Sequence, residues 1–180
     1  MEMLDGHPNS LVKDLRSAFQ RLEEAGMLDE VVLAYLFGSQ ARGQAGPLSD
    51  VDIAILLAEG VPEIEAFEKR LMLMAEIGHQ LGRDIVDMLI LNHSPLALAY
   101  RVLRDGILLY CLDEAKRIAF TAQIVSMYLD FKPTLERHER AILERARRGE
   151  LLHGYNPHHG ALERYRQLRE RLKEPASAEL

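Results

Sequence analysis

Asp50 and Asp52 stand one residue apart at the head of an apolar run that continues to Leu57. Side chains two apart on a strand point to the same face, so these two carboxylates are expected to converge. Carboxylates a few ångströms apart repel one another unless one is protonated or a hard divalent ion bridges them, and Mg²⁺ is the natural fit. Asp87 sits in another run of strand formers, between Val86 and Met88, where a charge is disfavoured without a partner. A third metal ligand would supply the reason. Upstream, Gly38-Ser39 follows an apolar run and opens a short helix, so backbone N–H groups and the Ser39 hydroxyl can point at a phosphate that glycine allows to come close. A Gly-Ser pair at a helix start is a weak signal and Asp-x-Asp is common by chance. Their combination, ten residues apart, is what counts.

The elements that must position these residues are legible from periodicity. Leu11, Leu15, Ala18, Leu22 and Ala25 recur at helical spacing, with Gly26 as the stop. Val31 to Phe37 reads as a buried strand that turns at Gly38-Ser39, and Ser39 to Ala45 as a short helix broken by Gly46-Pro47. Ser49 to Leu57 reads as a second strand that begins with the two acids. From Pro62 to Leu81, the stripe Ile64, Phe67, Leu71, Met74, Gly78 and Leu81 predicts a crossover helix, with Arg70 on its polar side. Ile85 to Leu91 is a third strand, Ser94-Pro95 opens a helix to about Arg104, and Ile107 to Tyr110 is a short strand. Ile118, Ala122, Val125 and Leu129 predict one further helical stripe, and Pro133 suits the first turn of a new helix ending at Arg147-Arg148-Gly149. Breakers crowd 149–160, and a last helix is expected over 161–173. The fold class expected is α/β or α+β, a small mixed sheet flanked by helices with a helical C-terminal part.

The whole chain narrows the function classes. Its 180 residues suit one compact domain with a helical appendage. No apolar run approaches the ~20 residues that cross a bilayer, no secretory start is visible, and the single Cys111 makes no internal disulfide. A cytoplasmic location without membrane contact is expected. Residues 1–131 carry 11 basic and 20 acidic side chains, and residues 132–180 carry 11 and 8, so the two parts are −9 and +3. An acidic body argues against general nucleic-acid binding, which usually needs a basic face.

Gly38-Ser39, ten residues, Asp50-Val51-Asp52 and a distal strand aspartate, Asp87, form the signature of the polymerase-β-like nucleotidyltransferase superfamily. The stretch Phe37 to Gly43 together with Ser49 to Ile53 closely resembles its minimal nucleotidyltransferase (MNT) branch, as do Ile85 to Asn92, Arg101-Val102-Leu103 and Gly106 to Tyr110. Tyr128 to Pro133 is similar to the C-terminal stretch of the MNT antitoxins that accompany HEPN-domain RNase toxins in type VII toxin–antitoxin systems. The resemblance covers about 10–148. It implies the polymerase-β-like fold; the domain organisation expected is a nucleotidyltransferase domain over 1–112, helices packed on it over 113–148, and, beyond the resemblance, a linker, short basic helix and frayed tail over 149–180. It also implies transfer of AMP from ATP to a tyrosine of the partner toxin. Asp50 and Asp52 would hold two Mg²⁺ ions and Asp87 would complete one. Gly38 and Ser39 would grip the triphosphate, and Arg42 would either reach a phosphate or cap the fold.

Blander readings exist for several residues. Ser49-Asp50 can be a local turn cap, and an exposed helical Arg42 needs no function. His153, His158 and His159 lie in a Gly/Pro-rich loop without the spacing of a zinc site. The arginines from Arg145 to Arg171 suit a solvated helix face, or docking of a partner or RNA. Two rival functions remain open at this stage: neutralisation of a toxin by binding alone, and nucleotide transfer to a small molecule such as an aminoglycoside.

Overall fold

A computed structural model describes residues 8–46, 49–82 and 86–149. The histidines at 153, 158 and 159 and the helix expected over 161–173 lie outside them. In chain order the elements are α1 (Pro8–Glu24), β1 (Val31–Phe37), α2 (Gly38–Ala41), β2 (Val51–Leu57), α3 (Glu63–Leu81), β3 (Val86–Ile90), a 3₁₀ turn (Leu91–His93), α4 (Leu96–Asp105), β4 (Ile107–Cys111) and α5 (Glu114–Arg147). The four strands form one mixed sheet in the order β3-β2-β1-β4. β1 runs antiparallel to β2 and β4, and β2 runs parallel to β3, with α3 as the crossover that a parallel pair requires.

Alternation along the strands divides the interior into two cores. Ala34, Leu36, Val51, Ile53, Ile55 and Met88 face α1 and α3, meeting Leu15, Phe19, Leu22, Leu73 and Ile77. Leu33, Tyr35, Ala54 and Leu56 face the other way, towards Ala99 and Val102 of α4 and Ile124 of α5. Each buried Val, Leu, Ile, Phe or Met among them contributes roughly 1.5–3 kcal/mol on burial, so the sheet is held from both sides. Both faces being covered explains why β1 and β2 read as continuous apolar runs.

Helix phase differs from the expected stripes at two places. On α3 the buried positions are Ala66, Leu73 and Ile77, whereas Ile64 is 74% exposed and Phe67 and Leu71 are also exposed. On α5 Ile124 is buried with Phe120 packed behind it, while Ile118 and Leu129 lie exposed. The covered stripe on α5 uses aromatic residues: Tyr128 stacks on Tyr100 at 3.8 Å, and Phe120 packs into the core that holds the buried Tyr35. An apolar count alone places the stripe on the wrong side.

The chain divides into two compact units at Phe131/Lys132, inside α5. The start of α5 belongs with the sheet because Phe120 and Ile124 complete the second core. α5 runs on through Pro133, which therefore does not open a new helix. In the second unit, of residues 132–147 only Thr134 and Leu135 are partly covered.

Candidate active site

The parallel pairing of β2 with β3 places Asp52 directly opposite Asp87. Both occupy the second position of their strands, on the sheet face of Ala54, Leu56 and Leu89. The antiparallel register of β1 sets Phe37 beside Asp52, so the turn after β1 arrives above the carboxylate. That turn is Gly38, with φ +75°. A Cβ on Gly38 would lie 1.9 Å from Asp52 Oδ2, so only glycine lets the backbone pass so close to the acid.

α2 is shorter than expected: it ends at Ala41, and Arg42 and Gly43 form a turn, with Gly43 at φ +67° and the Gln44 N–H donating to the Ser39 carbonyl at 2.9 Å. Arg42 is exposed, donates from Nε to Gln44 Oε1 at 3.3 Å, and its charge pulls the Asp52 carboxyl towards ionisation. Ser39 is partly buried within α2. Two polar residues anchor the approach to β2: Gln40 Nε2 donates to the Ser49 carbonyl at 3.4 Å, and the Gly46 N–H donates to Ser49 Oγ at 2.8 Å.

Asp50 departs from expectation. β2 starts at Val51, so Asp50 precedes the strand and lies exposed. The strand pairing that fixes Asp52 therefore does not extend to Asp50. Asp50 still acts on Asp52 through space. Burial first, then the charges of Asp87 and Asp50, push the Asp52 carboxyl up from the ordinary carboxylate range. Among the described residues no three acidic, histidine or cysteine side chains close into a metal cage.

Asp52 and Asp87 open onto a cavity of about 370 Å³ walled also by Phe37, Arg70 and Leu98. Arg70 was visible in the sequence only as one more charge on the polar side of α3. It reaches Asp87 because β3 is the edge strand, and its Nη2 donates to Asp87 Oδ1 at 3.1 Å. Two larger cavities, about 650 and 610 Å³, lie away from the carboxylates. One of them borders Asn92, whose amide is committed to both backbone groups of Leu57, so size does not mark the chemistry here.

A family model described as polymerase beta, nucleotidyltransferase matches residues 20–115, more than half of the chain and all of the site. The chain belongs to this nucleotidyltransferase family. Within it, the chain is 29% identical over 120 residues to the protein adenylyltransferase MntA of Shewanella oneidensis, covering 67% of this chain and 76% of that protein. A crystal structure of a toxin–antitoxin with AMP-PNP matches at 26% identity and a TM-score of 0.55, over 73% of this chain and 97% of the other. A tri-AMPylated Shewanella oneidensis HEPN toxin in complex with its MNT antitoxin matches at 24% identity and a TM-score of 0.53, over 75% and 98%. At that identity the second likeness speaks for the fold, which is the mixed sheet with helices expected of the family.

Proposed function

We propose that this chain is an Mg²⁺-dependent adenylyltransferase antitoxin, moving AMP from ATP to a tyrosine hydroxyl of a partner HEPN-domain RNase toxin. The observation that carries the reading is Asp52 held opposite Asp87 beneath Gly38, whose missing side chain lets the backbone pass over the carboxylate. Similarity to a named protein adenylyltransferase supports the choice of AMP and of a protein acceptor.

The donors suit a hard cation. The cavity wall supplies carboxylate oxygens and neither thiol nor imidazole, and a divalent ion would offset both the burial and the repulsion from Asp87 and Asp50 that raise Asp52. An open protein cage is also in keeping with Mg²⁺, which keeps waters and substrate phosphates among its ligands. Asp50 and Asp52 are assigned to two Mg²⁺ ions, with Asp87 completing one. Bound Mg²⁺ would neutralise the phosphates and polarise the acceptor hydroxyl.

The rest falls to the chain itself. Gly38 and Ser39 offer backbone and hydroxyl donors to the triphosphate, and Arg42 adds a positive charge on the same side. The tyrosine oxygen bonds to the α-phosphorus, the bond to pyrophosphate breaks, and Asp87 takes the hydroxyl proton. No described helix is long and apolar enough to cross a membrane, so nothing in them opposes a soluble partner.

The test is intact mass of the HEPN toxin after incubation with this protein, ATP and Mg²⁺, beside an Asp50→Ala/Asp52→Ala control. A gain of one or more AMP units, lost in the control, is the expected result. A stable complex without any gain would replace transfer by neutralisation through binding alone. With neither, small-molecule acceptors become the class to screen.

A further inference from the structure

Asp87 is 65% exposed, yet its carboxylate is not left to rotate. Oδ1 accepts two hydrogen bonds, from the Met88 backbone N–H at 2.8 Å and from Arg70 Nη2 at 3.1 Å. Among the described residues no bond falls on Oδ2. One oxygen tied by two donors and the other left open is how a carboxylate is prepared to give a single oxygen to a cation.

A purely structural purpose explains Arg70 poorly. An exposed ion pair contributes little to stability, and this arginine also buries its Nε without a partner among the described residues, which opposes the pose. It is kept at the cavity wall, opposite the face of α3 that solvent covers, beside the same space that Asp52 and Asp87 line. We infer that Arg70 is a positioning residue for Asp87: its guanidinium, reaching round the edge strand from α3, holds Oδ1 so that Oδ2 presents to the divalent ion.

This assignment rests on the metal-dependent reading above, and the experiment separates the two. Mn²⁺ affinity of the full chain is measured by electron paramagnetic resonance with a non-hydrolysable ATP analogue, for wild type, Arg70→Ala, Arg70→Lys, Asp87→Asn and the double variant Arg70→Ala/Asp87→Asn. Loss of an outer-shell partner costs about 10–100-fold in metal affinity, so Arg70→Ala should weaken Mn²⁺ binding by that factor, and Arg70→Lys should recover part of it. In the Asp87→Asn background, Arg70→Ala should add little, because the residue acts through Asp87. Unchanged Mn²⁺ affinity in Arg70→Ala, with or without a fall in melting temperature, would overturn the assignment, as would full additivity with Asp87→Asn. Failure of the wild type to bind Mn²⁺ would overturn the metal-dependent reading itself. Melting curves of all variants identify any that do not fold, and Arg70→Lys keeps the comparison decisive if Arg70→Ala is one of them.

Discussion

Gly38 and Asp52 form the tightest pairing in the site, and each leads to a measurable consequence. Gly38→Ala would force a side chain into a left-handed backbone position and onto the Asp52 carboxylate. The backbone part costs about 1–2 kcal/mol, read by urea denaturation. Displacing the acid by about an ångström should lower the transfer rate roughly 100-fold, well beyond what the stability loss explains. Asp52 carries a pH signature. Its folded-state value is raised, chiefly by burial and then by Asp87 and Asp50, so the folded protein holds that proton more tightly than the unfolded chain does. The stabilising contribution is complete below the unfolded value near pH 4 and is lost as pH rises through the folded value. Metal-free Asp52→Asn should therefore melt above wild type at neutral pH. The two melting curves should converge near pH 4 when followed by calorimetry.

Among the elements, α3 has two jobs on two sides. Its buried stripe, Ala66, Leu73 and Ile77, anchors the crossover that makes β2 and β3 parallel, and that parallel register is what sets Asp52 opposite Asp87. Arg70 flanks the stripe and turns to the cavity, while Ile64, Phe67 and Leu71 face outward. Truncation tests this phase directly. Leu73→Ala should cost about 2–5 kcal/mol by leaving a void in a fully buried place, whereas Leu71→Ala should stay within about 0.5 kcal/mol. Equal losses in urea titrations would mean that the helix is turned otherwise.

For the whole molecule, every residue assigned to the site lies in the first compact unit, which closes at Phe131. The same point divides the chain by charge, −9 before it and +3 after. A chain ending at Phe131 is expected to unfold cooperatively and to bind the ATP analogue with Mn²⁺ within about threefold of the full chain, a change below 1 kcal/mol. Nucleotide binding lost while the truncated chain stays folded would assign part of the site to residues beyond 131.

Much was determined locally and was therefore legible in the sequence. β1 was bounded correctly because strand formers, a glycine and a serine meet at Phe37-Gly38-Ser39, and the order of strands and helices followed from period and breakers. The spacing from Gly38-Ser39 to Asp50 and Asp52, with Asp87 further on, marked the family before any packing was known, and with it a candidate site. What only the tertiary structure decided depends on neighbours distant in sequence. Which face of α3 and α5 turns inward was set by the sheet and by partners such as Tyr35 and Tyr100, since each helix carries apolar residues on more than one side. Asp50 fell outside β2 because pairing with β1 begins only at Asp52 and pairing with β3 only at Val51. Arg70 became part of the site because β3 lies at the sheet edge, so a side chain from the opposite layer can reach round it to Asp87. Periodicity records how a segment repeats along itself; the register between strands and the order of the sheet decide which of its residues meet.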